Sequence, residues 1–436
     1  MFGLAGAGMG AFALSACGGG PTVGGGGDGE DAAEEFDLDF DGVEPADSID
    51  FWTNHPGGSS EVEQEIISAF TEDTGIDVNI VTAGSNYEEI AQRFQTAQQG
   101  SSGLPAVVVL SDVWWFRYYM NRNIIPLDEL ISKLDVDIDD YRQTLVEDYQ
   151  YEDRQWAMPY GRSTPLFYYN RDHFEEAGLP DRAPETWSEF AEWAPELTQG
   201  DTAYMYPDLD GYAGWILQNV LWGNGGSWSN EWDLNITSSE SLEAMQWVQD
   251  SVYSDGWAQL SSADSADSFA AQACSATINS TGSLIGVLEA ASFDVGVGFL
   301  PAGDVDGPVC PTGGAGLGIP AEIDKEQQVA GAMLIKWFGE PENTAKFSAA
   351  TGYMPNRESS DMSAIIEETP QIQTAIDQLE HTRTQDYARV FFPGADQEMA
   401  QSVASLLSEE ADVEQTMESL QETLQGIYDN EVEPNL

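Results

Sequence analysis

The chain has 436 residues, and its 76 Asp and Glu against 15 Lys and Arg give a formal charge of -61. A hydrophobic content of 42%, with aromatic residues 11% of the chain, excludes a wholly disordered chain, and the length suffices for two lobes with cores of their own. So negative a field excludes nucleic acid as a partner and repels itself in dilute buffer. The acids run along the whole chain and lysines are few (Lys133, Lys325, Lys336, Lys346). That balance suits molar salt, where screening shrinks to about 3 Å.

Met1 to Ala16 is a short apolar run ending Leu14-Ser15-Ala16-Cys17, and a glycine-rich acidic tract follows from Gly18. Small residues directly before a cysteine resemble a lipobox. The expectation is a signal peptide over 1–17, lipid on Cys17 that anchors the protein at the outer membrane face, and a flexible acidic linker over 18–46. No Lys or Arg precedes the apolar run, so a basic segment is expected upstream of Met1, with a twin-arginine type one of its open readings. The run is too short to cross a bilayer as a helix, and no other stretch is apolar for long enough. Cys274 and Cys310 remain as an even pair, for which a disulfide and two separate thiols are both open readings.

Ordered structure is expected from Asp47, with an alternating strand through Phe51-Trp52. Ser60 to Glu63 reads as a capping box opening a helix with Val62, Ile66, Ile67 and Phe70 on one face and Gly75 at its end. A strand at 77–81, a helix at 87–98 and the fully apolar strand 106–110 follow. This β-α-β-α-β order predicts an α/β lobe with a largely parallel sheet. Thr186 with Glu189, Ser239, and Asp324 with Gln327 open further helices. Strands are expected at 275–279 and 294–299, and helices beyond Gln397.

No catalytic pattern appears. The three histidines lie far apart, and there is no HExxH, no phosphate loop and no Gly-x-Ser-x-Gly elbow. The glycine run 313–318 is followed by Ile319-Pro320, a poor opening for a phosphate-binding helix. No metal and no cofactor are expected. Glycine, hydroxyl and aromatic clusters do recur at predicted strand ends, where α/β lobes bind ligands. They lie at Gly84–Tyr87, Tyr160–Pro165, Asn279–Ser283, Gly313-Gly314 and Thr351–Pro355. Each by itself reads as a turn; together they suggest a site with flat aromatic faces and polar edges.

Phe51–Gly58, Ser163–Arg171, Gly178–Pro180 with Thr186-Trp187, and Thr351–Pro355 resemble the solute-binding lipoproteins of carbohydrate ABC importers, from residue 48 to the C-terminus. Within that group the chain is most similar to the glycerol-3-phosphate-binding proteins, and its charge looks haloarchaeal. The resemblance implies an α/β, two-lobed, periplasmic-binding-protein-like fold of type II with the ligand cleft between lobes. Residues 47–162 with 290–340 would form one lobe and 163–289 with 341–436 the other, with crossings near 163–169 and 290–300. It implies a monomeric binding protein, not an enzyme, that closes on a small ligand and docks on permease subunits served by a separate ATPase.

The implied site residues are Tyr87 and Asp112 for hydroxyls, Arg389, Ser163 and Tyr353 for the polar head with the Gly313 and Gly314 amides beside them, and Ser280 and Thr281 in the serine-rich loop. Trp215 or Trp222, in the segment that starts at Tyr212, would cover the carbon face. Arg162 reads equally as a phosphate contact and as an ordinary ion pair. Two other functions fit the same residues: a neutral sugar binder of this fold, which would not require Arg389, and an extracellular enzyme acting on glycans or phosphodiesters. Asn235 and Asn279 head glycosylation sequons, and a glycan on Asn279 would contradict the placement of its loop in the cleft.

Overall fold

Two five-stranded sheets, joined by a few crossing strands, organise the chain in the computed structural model, which describes residues 36–100, 103–198, 200–207, 213–305 and 307–436. Cys17 and the signal segment lie outside the described residues. The strands of these sheets are β1 (Ser48–Thr53), β2 (Asp77–Thr82), β3 (Val107–Ser111), β4 (Met158–Ser163), β5 (Pro165–Asn170), β6 (Thr202–Tyr206), β7 (Ala258–Leu260), β8 (Cys274–Ser280), β9 (Val295–Gly298) and β10 (Gly313–Gly318).

The first sheet has the order β2-β1-β3-β10-β4. Its first three strands pair in parallel, and β10 runs antiparallel to both β3 and β4. The second sheet has the order β7-β6-β8-β5-β9, and there β5 is the strand that runs against its neighbours. Each sheet is thus four strands one way plus one reversed strand, and the reversed strand is the one arriving from the other lobe. The chain leaves the first sheet at Thr164 and returns between Phe299 and Thr312. Residues 295–298 were expected in the first lobe, but β9 pairs with β5 from Val295↔Asn170 to Gly298↔Phe167. A short glycine-bearing strand carries no mark of which sheet edge it will join.

Local chemistry explains the elements that frame the cleft. Helix α1 (Ser60–Thr74) ends at Gly75, whose φ of 76° closes the turn without a Cβ clash. Its start differs from the expected capping box. Ser59 is the N-cap, and Glu63 is buried, accepting from Thr53 Oγ1 at 2.9 Å, Ser59 Oγ at 2.8 Å and Tyr160 Oη at 2.6 Å. Helix α2 (Tyr87–Gly100) and helix α3 (Trp115–Met120) flank β3, which is buried at every position. Thr186 caps its helix as expected, its side chain accepting from Glu189 N at 3.0 Å.

Helix α4 (Ala213–Gly223) is buried all round, and the C-terminal helices pack against it and against the helix Ser239–Tyr253, placing them with the second sheet. A third connection runs alongside β4, where Met354 N donates to Arg162 O at 2.8 Å. The first core is built on Phe51, whose ring meets Tyr160 at 6.3 Å and Phe338 at 5.6 Å; truncating so buried a ring costs about 3–5 kcal/mol.

One expectation about the chain's start is corrected, and one open reading is decided. The segment before Asp47 is not all linker. Phe40 is buried, Lys133 Nζ donates to its carbonyl at 3.0 Å, and Ala46 N donates to Glu326 O at 2.9 Å. Cys274 and Cys310 are separate, buried thiols rather than a disulfide. Cys274 begins β8 inside the second sheet, whereas Cys310 pairs in register with Thr382 in a small two-stranded ribbon.

Candidate functional site

Strand polarity puts the loops after β1, β3, β4 and β8 at the facing edges of the two sheets, together with the start of β10, which enters its sheet reversed. Between them lies a cleft of about 750 Å³. One wall carries Asn54–Gly57, Ser85–Glu88, Ser111–Trp114, Gly313-Gly314 and Ser163, which pairs with Gly313; the other carries Trp215, Ser280, Tyr353, Arg389 and the stretch from Phe392 to Ala404. Nine of the twelve residues expected in a site therefore meet here: Tyr87, Asp112, Ser163, Trp215, Ser280, Gly313, Gly314, Tyr353 and Arg389.

The backbone fixes Asp112 first. β10 carries a bulge between Gly314 and Gly316, and Gly314 adopts a φ of 98° with no room for a Cβ, which would lie 2.1 Å from Gly161 O. That bend turns Gly314 O onto Asp112 N at 3.0 Å. Arg389 lies opposite, on the short helix α5 (Tyr387–Val390). Its Nη1 meets Asp112 Oδ2 at 3.1 Å and also donates to Gln385 Oε1, and its Nε meets Asp396 Oδ1 at 2.8 Å. Among the described residues Nη2 has no protein partner, which leaves one edge of the guanidinium for the cleft.

Charge is closely balanced among these buried groups. Burial alone would push the Asp112 carboxyl up, but Arg389, Arg162 and the Gln385 amide outweigh it and hold the group below its usual range. Burial wins at Asp396, which is raised despite Arg389. The same holds for Asp148, raised by burial against the pull of Arg162.

Aromatic rings set the shape. The Trp215 indole lies so close over Gly313 that a Cβ there would sit 2.6 Å from the ring, and its Nε1 donates to Thr312 O at 2.7 Å. The Tyr353 ring stands in a slot between Gly57 and Gly282, where any larger residue would collide with it. Its hydroxyl lies 3.5 Å from that of Tyr87. Both tyrosine hydroxyls and the Trp215 face bound the same space, so the site offers a flat apolar wall beside hydroxyl donors.

Three expected residues lie elsewhere. Arg162 is fully buried beneath the cleft, its Nη1 donating to Tyr149 Oη at 2.9 Å and its Nη2 paired with Asp148. Successive strand residues face opposite ways, so Ser163 and Arg162 could not both reach the ligand. Trp222 is seven residues from Trp215 on α4, about 10 Å along the axis. Its Nε1 donates to Asp386 Oδ1 at 3.0 Å and its ring stacks under Arg383. Thr281 is buried behind Ser280. Tyr212 lies outside the described residues. The sequon at Asn279 is closed to a glycan in the fold, because that side chain is buried and its Nδ2 donates to Ser265 Oγ at 2.9 Å.

Sequence reasoning missed Asn54, His55, Glu88, Trp114, Phe392 and Asp396, which line the cleft. Asn54 and His55 stood in a quoted motif, and Trp114 follows the apolar strand by one turn, so position after a strand was the available signal. Nothing local marks Asp396 among 76 acids.

A family model described as bacterial extracellular solute-binding protein matches residues 65–374. The sn-glycerol-3-phosphate-binding periplasmic protein UgpB of Escherichia coli K12 is 26% identical over 328 residues, 71% of this chain and 74% of that protein. The crystal structure of UgpB from Mycobacterium tuberculosis in complex with glycerophosphocholine superposes with a TM-score of 0.85 at 40% identity, covering 89% of this chain and all of the other. Maltose-bound MalE3 of T. maritima gives a TM-score of 0.78 at 20% identity, over 88% of this chain and all of that one, a likeness of fold. The chain belongs to the family of bacterial extracellular solute-binding proteins.

Proposed function

We propose that this protein is the substrate-binding component of an ABC importer that captures glycerol-3-phosphate or a glycerophosphodiester and delivers it to a membrane permease powered by a separate ATPase. The observation that carries the reading is the single open guanidinium edge of Arg389 in a cleft walled by Tyr87, Tyr353 and Trp215, in a chain 40% identical to a UgpB solved with glycerophosphocholine. In this reading Arg389 Nη2, Ser163, Ser280, Tyr353 and the Gly313-Gly314 backbone take the phosphate, Tyr87 and Asp112 take glycerol hydroxyls, and Trp215 covers the carbons.

The charge balance favours the diester within this class. Two guanidinium groups, Arg389 and Arg162, face three carboxylates, Asp112, Asp396 and Asp148, so a dianionic monoester meets more repulsion than a monoanionic diester. The same neutralised arginine supports the neutral-sugar reading as the second choice. The protein acts outside the membrane, as its family does, and we infer a lipid anchor on Cys17, a monomeric state and a molar-salt habitat from the lipobox and the charge. A thermal-shift comparison of glycerophosphocholine, glycerol-3-phosphate and maltose in about 2 M KCl tests the reading. Stabilisation by the phosphates and not by maltose, abolished in Arg389→Ala, supports it; stabilisation by maltose that survives the substitution overturns it.

A further inference from the structure

What holds Arg389 and Asp112 in their arrangement does not itself line the cleft. Gln385 is 3% exposed and sits one turn before Arg389. Its Nε2 donates to Asp112 Oδ2 at 2.7 Å, while its Oε1 accepts from Arg389 Nη1 and from Gln218 Nε2 at 3.2 Å. Gln218 is fixed in turn on the buried face of α4, where its Oε1 accepts from Asp386 N at 3.0 Å. These partners settle the orientation of the Gln385 amide. Reversed, it would set NH₂ against two donors and its oxygen against a carboxylate.

We propose that Gln385 is the positioning residue for ligand selection: one neutral amide that binds the carboxylate of the first lobe and the guanidinium of the second, and so keeps Arg389 Nη2 turned to the cleft. The inference rests on the reading of the cleft as a phosphodiester site. A neutral group that both donates and accepts is required there. A carboxylate at 385 would still accept from Arg389 and Gln218, but it would stand against Asp112 Oδ2 and add a third negative partner, beside Asp112 and Asp396, to Arg389. An apolar residue would leave Asp112 Oδ2 and Arg389 Nη1 to each other, drawing the guanidinium toward β3 and away from the ligand.

Glycerophosphocholine tests this directly, because neither of its charges titrates between about pH 5 and pH 8. The full chain is titrated by calorimetry in about 2 M KCl as wild type, Gln385→Glu and Gln385→Leu, with near-ultraviolet dichroism recorded for each. Gln385→Glu is expected to lose about 30-fold in affinity at pH 8 and to regain most of it at pH 5, where a protonated carboxyl can again donate to Asp112. Gln385→Leu is expected to lose about 10-fold at both pH values. Affinities of the two variants within about 2-fold of wild type, or a Gln385→Glu deficit independent of pH, overturn the inference alone. A wild type that binds no glycerophosphodiester overturns the functional reading and this inference with it. If Gln385→Glu does not fold, the loss or retention of affinity in Gln385→Leu decides.

Discussion

Arg389 Nη1 and Asp112 Oδ2 meet at 3.1 Å across the cleft, joining the end of β3 in the first lobe to α5, which packs with the second. Both side chains are almost wholly buried, and Asp396 shares the guanidinium at 2.8 Å. Removing the cation leaves two buried carboxylates without their partner. Arg389→Ala is therefore expected to destabilise the protein by about 3 kcal/mol as well as to abolish phosphate binding. Denaturant melts in about 2 M KCl check the first effect; unchanged stability would mean that the pair is no more than a surface contact.

Arg162 separates structure from ligand contact. Arg162→Met is predicted to cost about 3 kcal/mol by stranding Asp148, while the folded fraction keeps the wild-type order of preference among ligands. A stable Arg162→Met that binds no phosphate would return this arginine to the site.

Asp386 gives stability a pH dependence. Burial raises its pKa from 3.8 to about 6, although Trp228 N, Arg383 and Trp222 favour the charged form. A raised folded-state value means that the folded protein binds the proton more tightly than the unfolded chain. The resulting stabilisation is complete below about pH 4 and lost as pH rises through about 6, and its full size is on the order of 3 kcal/mol. Wild type should gain that much over Asp386→Asn between about pH 7 and pH 4, because all other carboxylates titrate in both. Parallel stability curves would show that Asp386 titrates normally.

Asp396 links pH to binding. Burial raises its carboxyl, and its protonation removes a negative charge from Arg389. Affinity for glycerophosphocholine should rise as pH falls toward the ordinary carboxylate range, and Asp396→Asn should bind more tightly than wild type at neutral pH. Calorimetry across the range measures it, and weaker binding by Asp396→Asn would contradict it.

The two buried cysteines offer a chemical check. Burial pushes the Cys274 thiol up to about 12 and raises Cys310 further still. Neither should react with a thiol reagent in the native state, both should react once unfolded, and a reductant should leave the melting temperature unchanged. A drop in melting temperature on reduction would restore the disulfide.

The frame was legible where one rule decided it. Val62, Ile66, Ile67 and Phe70 at helical spacing gave α1, and the apolar run 106–110 gave β3, because periodicity needs only local information. Gly313, Gly314 and Tyr353 reached the cleft for a related reason, since glycines and rings at strand ends have few other uses. Long-range geometry was not legible. The edge that β9 joins depends on the Tyr169 ring lying against Gly296, a contact between residues more than a hundred positions apart. Gln385 was invisible because its role arises only when Asp112, Gln218 and Arg389 come together. Arg162, which reads equally as a phosphate contact and as an ion pair, is decided by a rule the sequence does hold, the alternation of neighbours along a strand.

The most direct measurement is calorimetric titration of glycerophosphocholine into wild type and Arg389→Ala in about 2 M KCl, with maltose as the neutral comparison. Binding of glycerophosphocholine by the wild type, at least about 100-fold weaker in the variant, with no heat from maltose, is the predicted result. Maltose binding that is indifferent to Arg389, with no response to the phosphodiester, would contradict it and make this a sugar-binding protein.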